Sequence, residues 1–472
     1  MLESSKDGFS LEKFLDAREE RVEKQKKILE SHKGTLIVVR ANYPGEAKNE
    51  YPSTEIVKII SVEVDKYFKK DTVYRDETLT LEGTIDFFIV KLDVDEVKKI
   101  CVLIEEKHPL GRFVDIDVYD DLGNSFSRTK YGFPQRKCYL CDELAVVCTR
   151  AMKHNLKDIK NHILKSYEKY LKNESLRIKI SEKLGELALK ACILELSCHP
   201  SFGLVSPLTS GAHKDMNYFT FLNSSFAIKR GLTEMSYLGF SYLDIKEIFK
   251  RSREIGIETE REMFLATKNV NTHKGIIFIF GVTLVSVAKV LYDKYILSNQ
   301  EISSIDIGDK ELEIVSENIR KCCINILDDF DRIPEKIKQG EKLTNGEKLY
   351  LDYGFLGIRG EVKDGMSFIF QEILPFLEKE MAVGQELNFS LVKTLLFLMT
   401  KINDSTIVNR LGVEILESVK KDAKHLLDKG VPLGEAFELE ERYSKSRISP
   451  GGSADLLAIT IFLYFLKNER LN

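Results

Sequence analysis

The sequence predicts two domains of different class, a mixed α+β domain followed by an all-helical one. Three observations carry that expectation. The chain has 472 residues, more than one hydrophobic core usually supports. Short runs rich in Val, Ile and Phe, the composition of strands, stop after Tyr119. Beyond Lys179 the apolar residues recur at helical spacing with almost no strand signal. The division falls within 171–177, giving domains of 1–172 and 173–472.

Along the first domain, residues 11–32 are highly charged, with Phe14, Leu15, Val22 and Ile28 at positions that suit an exposed amphipathic helix. Strands are expected at 35–41, 84–92, 100–104 and 113–119. A lysine-rich, weakly periodic stretch at 153–179 leads into the second domain. There the spacing predicts helices at 181–196, 275–291, 311–327, 387–400 and 454–466, with no internal repeat and no heptad run.

Apolar residues at 43% and charged residues at 31% describe an ordinary folded chain. The longest uncharged apolar run, 275–288, stops at Lys289 and falls short of the ~20 residues a bilayer demands, so a buried helix is expected there. Glu3, Lys6 and Asp7 stand where a signal peptide would be apolar, which points to the cytoplasm. A net charge of −4 argues against a nucleic-acid coat but leaves room for a small polyanion held by local cations and backbone N–H groups. Neither nucleic acid nor membrane is expected as a partner. Eight cysteines without dense spacing suggest reduced thiols. Cys138, Cys141 and Cys148 form C-x2-C-x6-C; on a helix they would share one face, and with no fourth ligand evident nearby, apolar packing is favoured over zinc.

The sharpest feature of the first domain is Gly111-Arg112-Phe-Val-Asp115-Ile-Asp117-Val-Tyr119. On a strand Val114, Ile116 and Val118 face the core while Asp115 and Asp117 project together from the other side. These acids are either solvated on an edge strand or share a cation. Paired carboxylates suit Mg2+, which could stabilise charge as a nucleophile attacks phosphorus and pyrophosphate leaves. Gly111 allows close backbone approach, Arg112 offers a phosphate-binding cation, and Arg136 and Lys137 follow at an expected helix start.

These residues, with Ala17-Arg-Glu19, Asn42-Tyr-Pro-Gly45, Lys48 and Arg136-Lys-Cys-Tyr-Leu-Cys141, resemble the citrate lyase holo-acyl carrier protein synthase family, a phosphoribosyl-dephospho-CoA transferase. The resemblance implies a nucleotidyltransferase-like fold, with Asp115 and Asp117 catalytic and metal-binding and with Arg112, Arg136 and Lys48 holding substrate. It also implies attack by a serine of the apo acyl carrier (gamma) subunit on the α-phosphate of a triphosphoribosyl donor. Gly111-Arg112 stands where the general nucleotidyltransferase pattern has Gly-Ser.

Four Gly/Pro/Ser-rich islands interrupt the second domain: 198–216, with Cys198-His199-Pro200 and Ser210-Gly-Ala-His213-Lys214-Asp215-Met216; Asn271-Thr-His273-Lys274-Gly275; Gly354-Phe-Leu-Gly357-Ile-Arg359-Gly-Glu361; and Ser449-Pro-Gly451-Gly452-Ser-Ala-Asp455. Asp404-Ser-Thr406 with Asn409-Arg410 adds a further polar cluster. Each alone could be a capping loop, and each histidine a hydrogen-bonded structural one. Four such loops on one helical scaffold suit a ligand site. Asn271 or Thr272 can cap the apolar helix that follows, placing Lys274 and free N–H groups at its positive end.

These islands resemble the triphosphoribosyl-dephospho-CoA synthase family. The resemblance implies that the ribose 2′-hydroxyl of 3′-dephospho-CoA displaces adenine from C1 of the ATP ribose, leaving the triphosphate intact. Such a displacement needs a carboxylate beside the oxocarbenium-like carbon and a base for the hydroxyl. Asp215 and His213 are the candidates. Lys214, His273, Lys274, Gly275, Arg359, Arg410, Gly451 and Gly452 are expected to hold phosphates, and Glu361 or Asp455 to bind Mg2+. The second domain would make the donor that the first consumes. Maturation of a malonate decarboxylase, or a non-catalytic docking role for the first domain, are the competing readings.

Overall fold

The structure, a computed structural model, describes residues 11–45, 48–297 and 306–469. Glu3, Lys6 and Asp7 lie outside them. The chain divides into two compact units, Met1–Ser175 and Leu176–Asn472.

The first unit is α+β. Its elements run α1 (Leu11–Ser31), β1 (Thr35–Ala41), α2 (Ser53–Phe68), β2 (Thr72–Thr80), β3 (Gly83–Val90), α3 (Val94–Lys107), β4 (Val114–Tyr119) and α4 (Ala145–Arg150). The strands form one antiparallel sheet in the order β2-β3-β1-β4. One face, with Ile37, Val39, Phe88, Val114 and Ile116, packs against Val57, Ile60 and Val64 of α2 and Cys101 and Ile104 of α3. The other packs Leu36, Val38, Ile85 and Phe87 around Ile28 of α1.

Two expectations fail here for definable reasons. Residues 100–104 are helical, within α3. Asp93 caps that helix by accepting from Asp95 N–H at 2.9 Å, and Val97, Cys101 and Ile104 repeat at helical spacing to reach the core. β2 was not expected because its sequence, TVYRDETLT, is polar. It is an edge strand with no buried residue, held by its pairing with β3. The stretch at 153–179 is also more ordered than its weak periodicity suggests, since α5 (Leu156–Ser197) begins there and sets Ile163 and Tyr167 into the core of the first unit.

The second unit is helical throughout its described residues. After α5 come α6 (Tyr218–Gly239), α7 (Ile245–Ala266), α8 (Lys274–Tyr292), α9 (Asp309–Cys322), α10 (Asp328–Asp331), α11 (Ile333–Lys338), α12 (Asn345–Tyr353), α13 (Ile358–Lys363), α14 (Leu374–Ala382), α15 (Leu387–Lys401), α16 (Ser405–Leu411), α17 (Val413–Asp428), α18 (Leu433–Ser446) and α19 (Gly451–Asn468). The helix expected at 311–327 ends at Cys322. By length and composition Lys274–Leu297 could cross a membrane, yet 83% of its most apolar window is buried. It is the central core helix, packed on α6, α7, α9 and α19. Gly203 has φ +87°, and a Cβ there would lie 2.1 Å from the Ile448 carbonyl oxygen. Only glycine lets the first island close against the loop before α19.

Candidate active sites

In the first unit, β4 alternates as its sequence predicts, Val114, Ile116 and Val118 buried and Asp115 and Asp117 on the opposite face. β4 is an edge strand, but its acids are not merely solvated. Register places Arg40 of β1 opposite Asp115, and its guanidinium bridges the pair, NH2 to Asp115 Oδ2 at 3.3 Å and Nε to Asp117 Oδ2 at 3.0 Å. Arg136 takes the other Asp115 oxygen at 2.7 Å and Glu105 at 2.5 Å. Burial works against the charge on both arginines, yet these carboxylates hold their pKa values above the usual guanidinium range. The repulsion that suggested a metal is therefore met by two guanidiniums.

Around this core stand Lys48 and Glu82. Lys48 is half-buried and faces Arg40, Asp115 and Glu82; burial first, then Arg40, draws its pKa down. Glu82, almost fully buried, accepts from Arg21 Nε at 2.7 Å, with Arg18 at 3.8 Å. With Glu105 on Arg136, it is a further carboxylate of this cluster, which spacing alone could not identify. Arg112 stacks over Tyr139 at 5.4 Å and donates from NH2 to the Lys137 carbonyl, leaving NH1 buried without a partner. Arg136 and Lys137 do not begin a helix; Lys137 pairs with Leu144 in a short antiparallel bridge. As for Mg2+, Asp115 has both oxygens engaged while Asp117 keeps one beyond its contact with Arg40, so the pair fits a cation once a guanidinium gives way.

In the second unit the islands converge on two adjoining cavities. The smaller, about 240 Å³, is lined by residues including Glu195, His213, His273, Lys274, Arg410 and Gly451. The larger, about 700 Å³, is lined by the 354–361 loop, Lys401, residues 402–406 and Gly452. Gly275, Thr406 and Asp455 belong to both. Gly275 is required at this junction, since a Cβ there would sit 2.0 Å from Asp455 Oδ2.

The electrostatics of the junction are those of crowded acids. Burial, then Asp455, pushes the Glu195 carboxyl up to about 8; burial, then Asp404, pushes Asp455 up to about 8. Among the described residues neither acid has an ion-pair partner. An oxygen-only pair without a cation suits a hard divalent ion such as Mg2+. Asp404 is committed elsewhere. Its Oδ1 accepts from Thr406 N–H and Ile407 N–H, and its Oδ2 from Ser453 N–H, tying α16 to the start of α19.

His273 is fully buried. Ser224 Oγ lies 2.6 Å from its Nδ1, Nε2 has no partner, and burial pushes its pKa down to about 3, so the ring is neutral. His213 Nε2 lies 3.0 Å from Ser449 Oγ, and burial and Arg410 lower its pKa.

Several expected residues are placed elsewhere. Lys214 and Asp215 are exposed and line neither cavity, because the loop turns at Met216 to bury that side chain instead. Arg359 lies over Phe330 and toward Asp329 at 3.8 Å, also away from both. Lys274 lines the smaller cavity while paired with Glu260 at 2.9 Å. Asn271 Oδ1 accepts from Lys274 N–H at 3.3 Å, the expected helix-start contact. His199 is structural. Its backbone is bracketed by Asn388, and its Nδ1 lies 3.4 Å from Glu440. Glu195 was missed because it sits within the last turn of α5, ahead of the island, with no glycine or proline to mark it.

An α+β unit built around a carboxylate pair, followed by a helical unit with an acid-lined double cavity, defines a chain of two transferase units. Residues 181–472 match the family described as ATP:dephospho-CoA triphosphoribosyl transferase, and residues 9–170 match apo-citrate lyase phosphoribosyl-dephospho-CoA transferase. The chain is 30% identical to Protein CitXG of Leuconostoc mesenteroides subsp. cremoris over 96% of each chain. It is 29% identical to Protein CitXG of Haemophilus influenzae, over 96% of this chain and 95% of that one. A probable 2-(5''-triphosphoribosyl)-3'-dephosphocoenzyme-A synthase of Streptococcus mutans is 34% identical, over 60% of this chain and 96% of its own. The chain belongs to the fused family that joins a triphosphoribosyl-dephospho-CoA synthase to an apo-citrate lyase phosphoribosyl-dephospho-CoA transferase.

Proposed function

We propose that the second unit converts ATP and 3′-dephospho-CoA into 2′-(5″-triphosphoribosyl)-3′-dephospho-CoA and adenine, and that the first then transfers phosphoribosyl-dephospho-CoA to a serine of the apo acyl carrier subunit of citrate lyase, releasing pyrophosphate. The observation that carries this reading is the junction of two cavities at Asp455, with Glu195 beside it. Two substrates must meet there at one anomeric carbon.

Two buried acids whose carboxyls are both pushed up to about 8 hold their protons in the resting site and release them one before the other. The protonated member can donate to the departing adenine while the ionised one opposes positive charge at C1. Asp455 and Glu195 thus take the role that chain position alone suggested for Asp215. His213, neutral above its lowered pKa, accepts the proton of the incoming 2′-hydroxyl. His273 presents Nε2 to the smaller cavity as a positioning contact. Arg410, Lys274, Lys401 and the N–H groups of Gly451 and Gly452 hold phosphates. A bound Mg2+, held by Asp455 with Glu361 in reach of the larger cavity, would neutralise triphosphate charge.

In the first unit, a nucleotidyltransferase-like arrangement, Arg40 and Arg136 exchange their carboxylate partners for donor phosphates, and Lys48 lends a further cation. Asp117 and Asp115 then orient the attacking serine and any divalent ion. Incubating the chain with ATP, dephospho-CoA, Mg2+ and the apo carrier tests both halves. Adenine release without carrier modification is expected of Asp117→Asn; no adenine release from the unaltered chain would sink the synthase reading.

A further inference from the structure

Outside both sites, the first unit gathers a set of soft ligands in residues 136–154. Lys137 and Leu144 form the antiparallel bridge of a small hairpin, in which Cys138 N–H donates to the Glu143 carbonyl at 2.7 Å and Ala145 N–H to the Arg136 carbonyl at 2.9 Å. The turn inside it carries Cys138 and Cys141, with Leu140 N–H 3.5 Å from Cys138 Sγ. α4 then supplies buried Cys148, and the loop after it His154. The three cysteines therefore do not share a helix face, and the fourth ligand not evident from chain position is His154, six residues beyond the last cysteine.

We propose that Cys138, Cys141, Cys148 and His154 form a structural zinc site. Their ligand atoms all lie within 4.8 Å of one another. Cys141 Sγ is 3.4 Å from Cys148 Sγ, and His154 Nε2 is 3.3 Å from Cys141 Sγ. Around tetrahedral zinc, with bonds of about 2.3 Å to sulfur and 2.0–2.1 Å to nitrogen, ligand atoms stand roughly 3.5–3.8 Å apart, so a slight outward relaxation accommodates the ion. Three sulfurs and one imidazole select zinc over magnesium or calcium, which take oxygen. Four protein ligands leave no open position, as a structural site requires. A disulfide between Cys141 and Cys148 would account for two of the four groups only.

The ligands alternate with residues that reach the transferase site. Arg136, two positions before Cys138, binds Asp115. Tyr139, between the first two cysteines, donates from its hydroxyl to the carbonyls of Asn42 at 2.8 Å and Arg112 at 3.3 Å. Zinc would fasten the segment that delivers Arg136 and Tyr139. It is a positioning device, distinct from the Mg2+ role considered above.

The full chain, purified without chelator, is expected to contain one zinc per chain by elemental analysis. Cobalt(II) exchanged into it should give the intense visible and thiolate charge-transfer bands of a tetrahedral sulfur-ligated ion. Cys141→Ser and His154→Ala should lose the metal, whereas Cys192→Ser and Asp117→Asn should keep it. Removing zinc with a chelator, then exchanging the chelator for Mg2+ before assay, should expose three fast-reacting thiols and abolish carrier modification while leaving adenine release unchanged. Absence of zinc from the unaltered chain together with no thiolate–cobalt bands would overturn the proposal, and so would zinc that persists at full occupancy in both ligand variants. The cobalt spectrum needs no substitution, so the test holds even if a ligand variant fails to fold.

Discussion

At the scale of single residues, the close approach that bears on the second unit's cavities is Gly275 against Asp455. Any side chain at 275 must displace the carboxylate shared by both cavities. Gly275→Ala is therefore expected to slow adenine release by about 10²-fold, the effect of misplacing a reacting group by roughly 1 Å, with little change in unfolding temperature. Steady-state adenine release and a thermal melt check both parts. The acids themselves predict a pH dependence. In the unfolded chain Glu195 and Asp455 ionise near pH 4, whereas folded they hold protons up to about 8. Between these values the folded state binds more protons, so stability falls as pH rises through the window. Without divalent cation, the melting temperature of the second unit should drop by at least about 3 °C from pH 5 to pH 8. Glu195→Gln should flatten that slope; an unchanged slope would show that Glu195 titrates normally. Legibility at this scale was uneven. Asp115 and Asp117 announce themselves by strand alternation. Arg40, the residue that neutralises them, lies in a separate strand and meets them only through register.

At the scale of elements, Asp404 links two helices that the chain separates by more than forty residues. Its side chain caps α16 and accepts from the first turn of α19. Asp404→Ala removes a cap worth ~1 kcal/mol and strands buried donors of Ser453 at about 1–3 kcal/mol. A loss of roughly 2–4 kcal/mol is expected from denaturant unfolding of the second unit, and Asp404→Asn, which keeps an acceptor oxygen, should recover part of it. The islands were readable as a group because glycine and proline break helical periodicity. Their partners were not: Glu195 and Ser224 lie inside regular helices, where nothing local distinguishes a site residue from an ordinary one. The α3 segment misled for the opposite reason. Its Ile100-Cys-Val-Leu-Ile104 run has strand composition, but the cap at Asp93 and the 3.6-residue repeat decide the outcome.

At the scale of the whole molecule, the change from mixed α+β to helical sequence was legible because the period of the apolar pattern itself changes. The placement of Lys214, Asp215 and Arg359 was not, since proximity along a loop says little about which way each side chain turns. Two reactions on one chain also make a prediction that neither unit makes alone. Asp117→Asn is impaired in one proposed step and Gly275→Ala in the other, so mixing them should restore carrier modification if the intermediate passes through solution. Modification followed by mass change of the carrier measures this directly. Recovery that falls as dilution increases is the expected result, and none at any concentration would mean that the intermediate stays on the chain that made it.

The guanidiniums of Arg40 and Arg136 bear on how such a chain behaves while idle. With Asp115 held from both sides and Asp117 from one, the resting carboxylates are latched. A neutral or cationic visitor, including a bare serine side chain, offers the arginines nothing better to hold. A polyanion can draw them off, so the phosphate-bearing ligand proposed for this site would also be the one that unlocks the acids proposed to act on it.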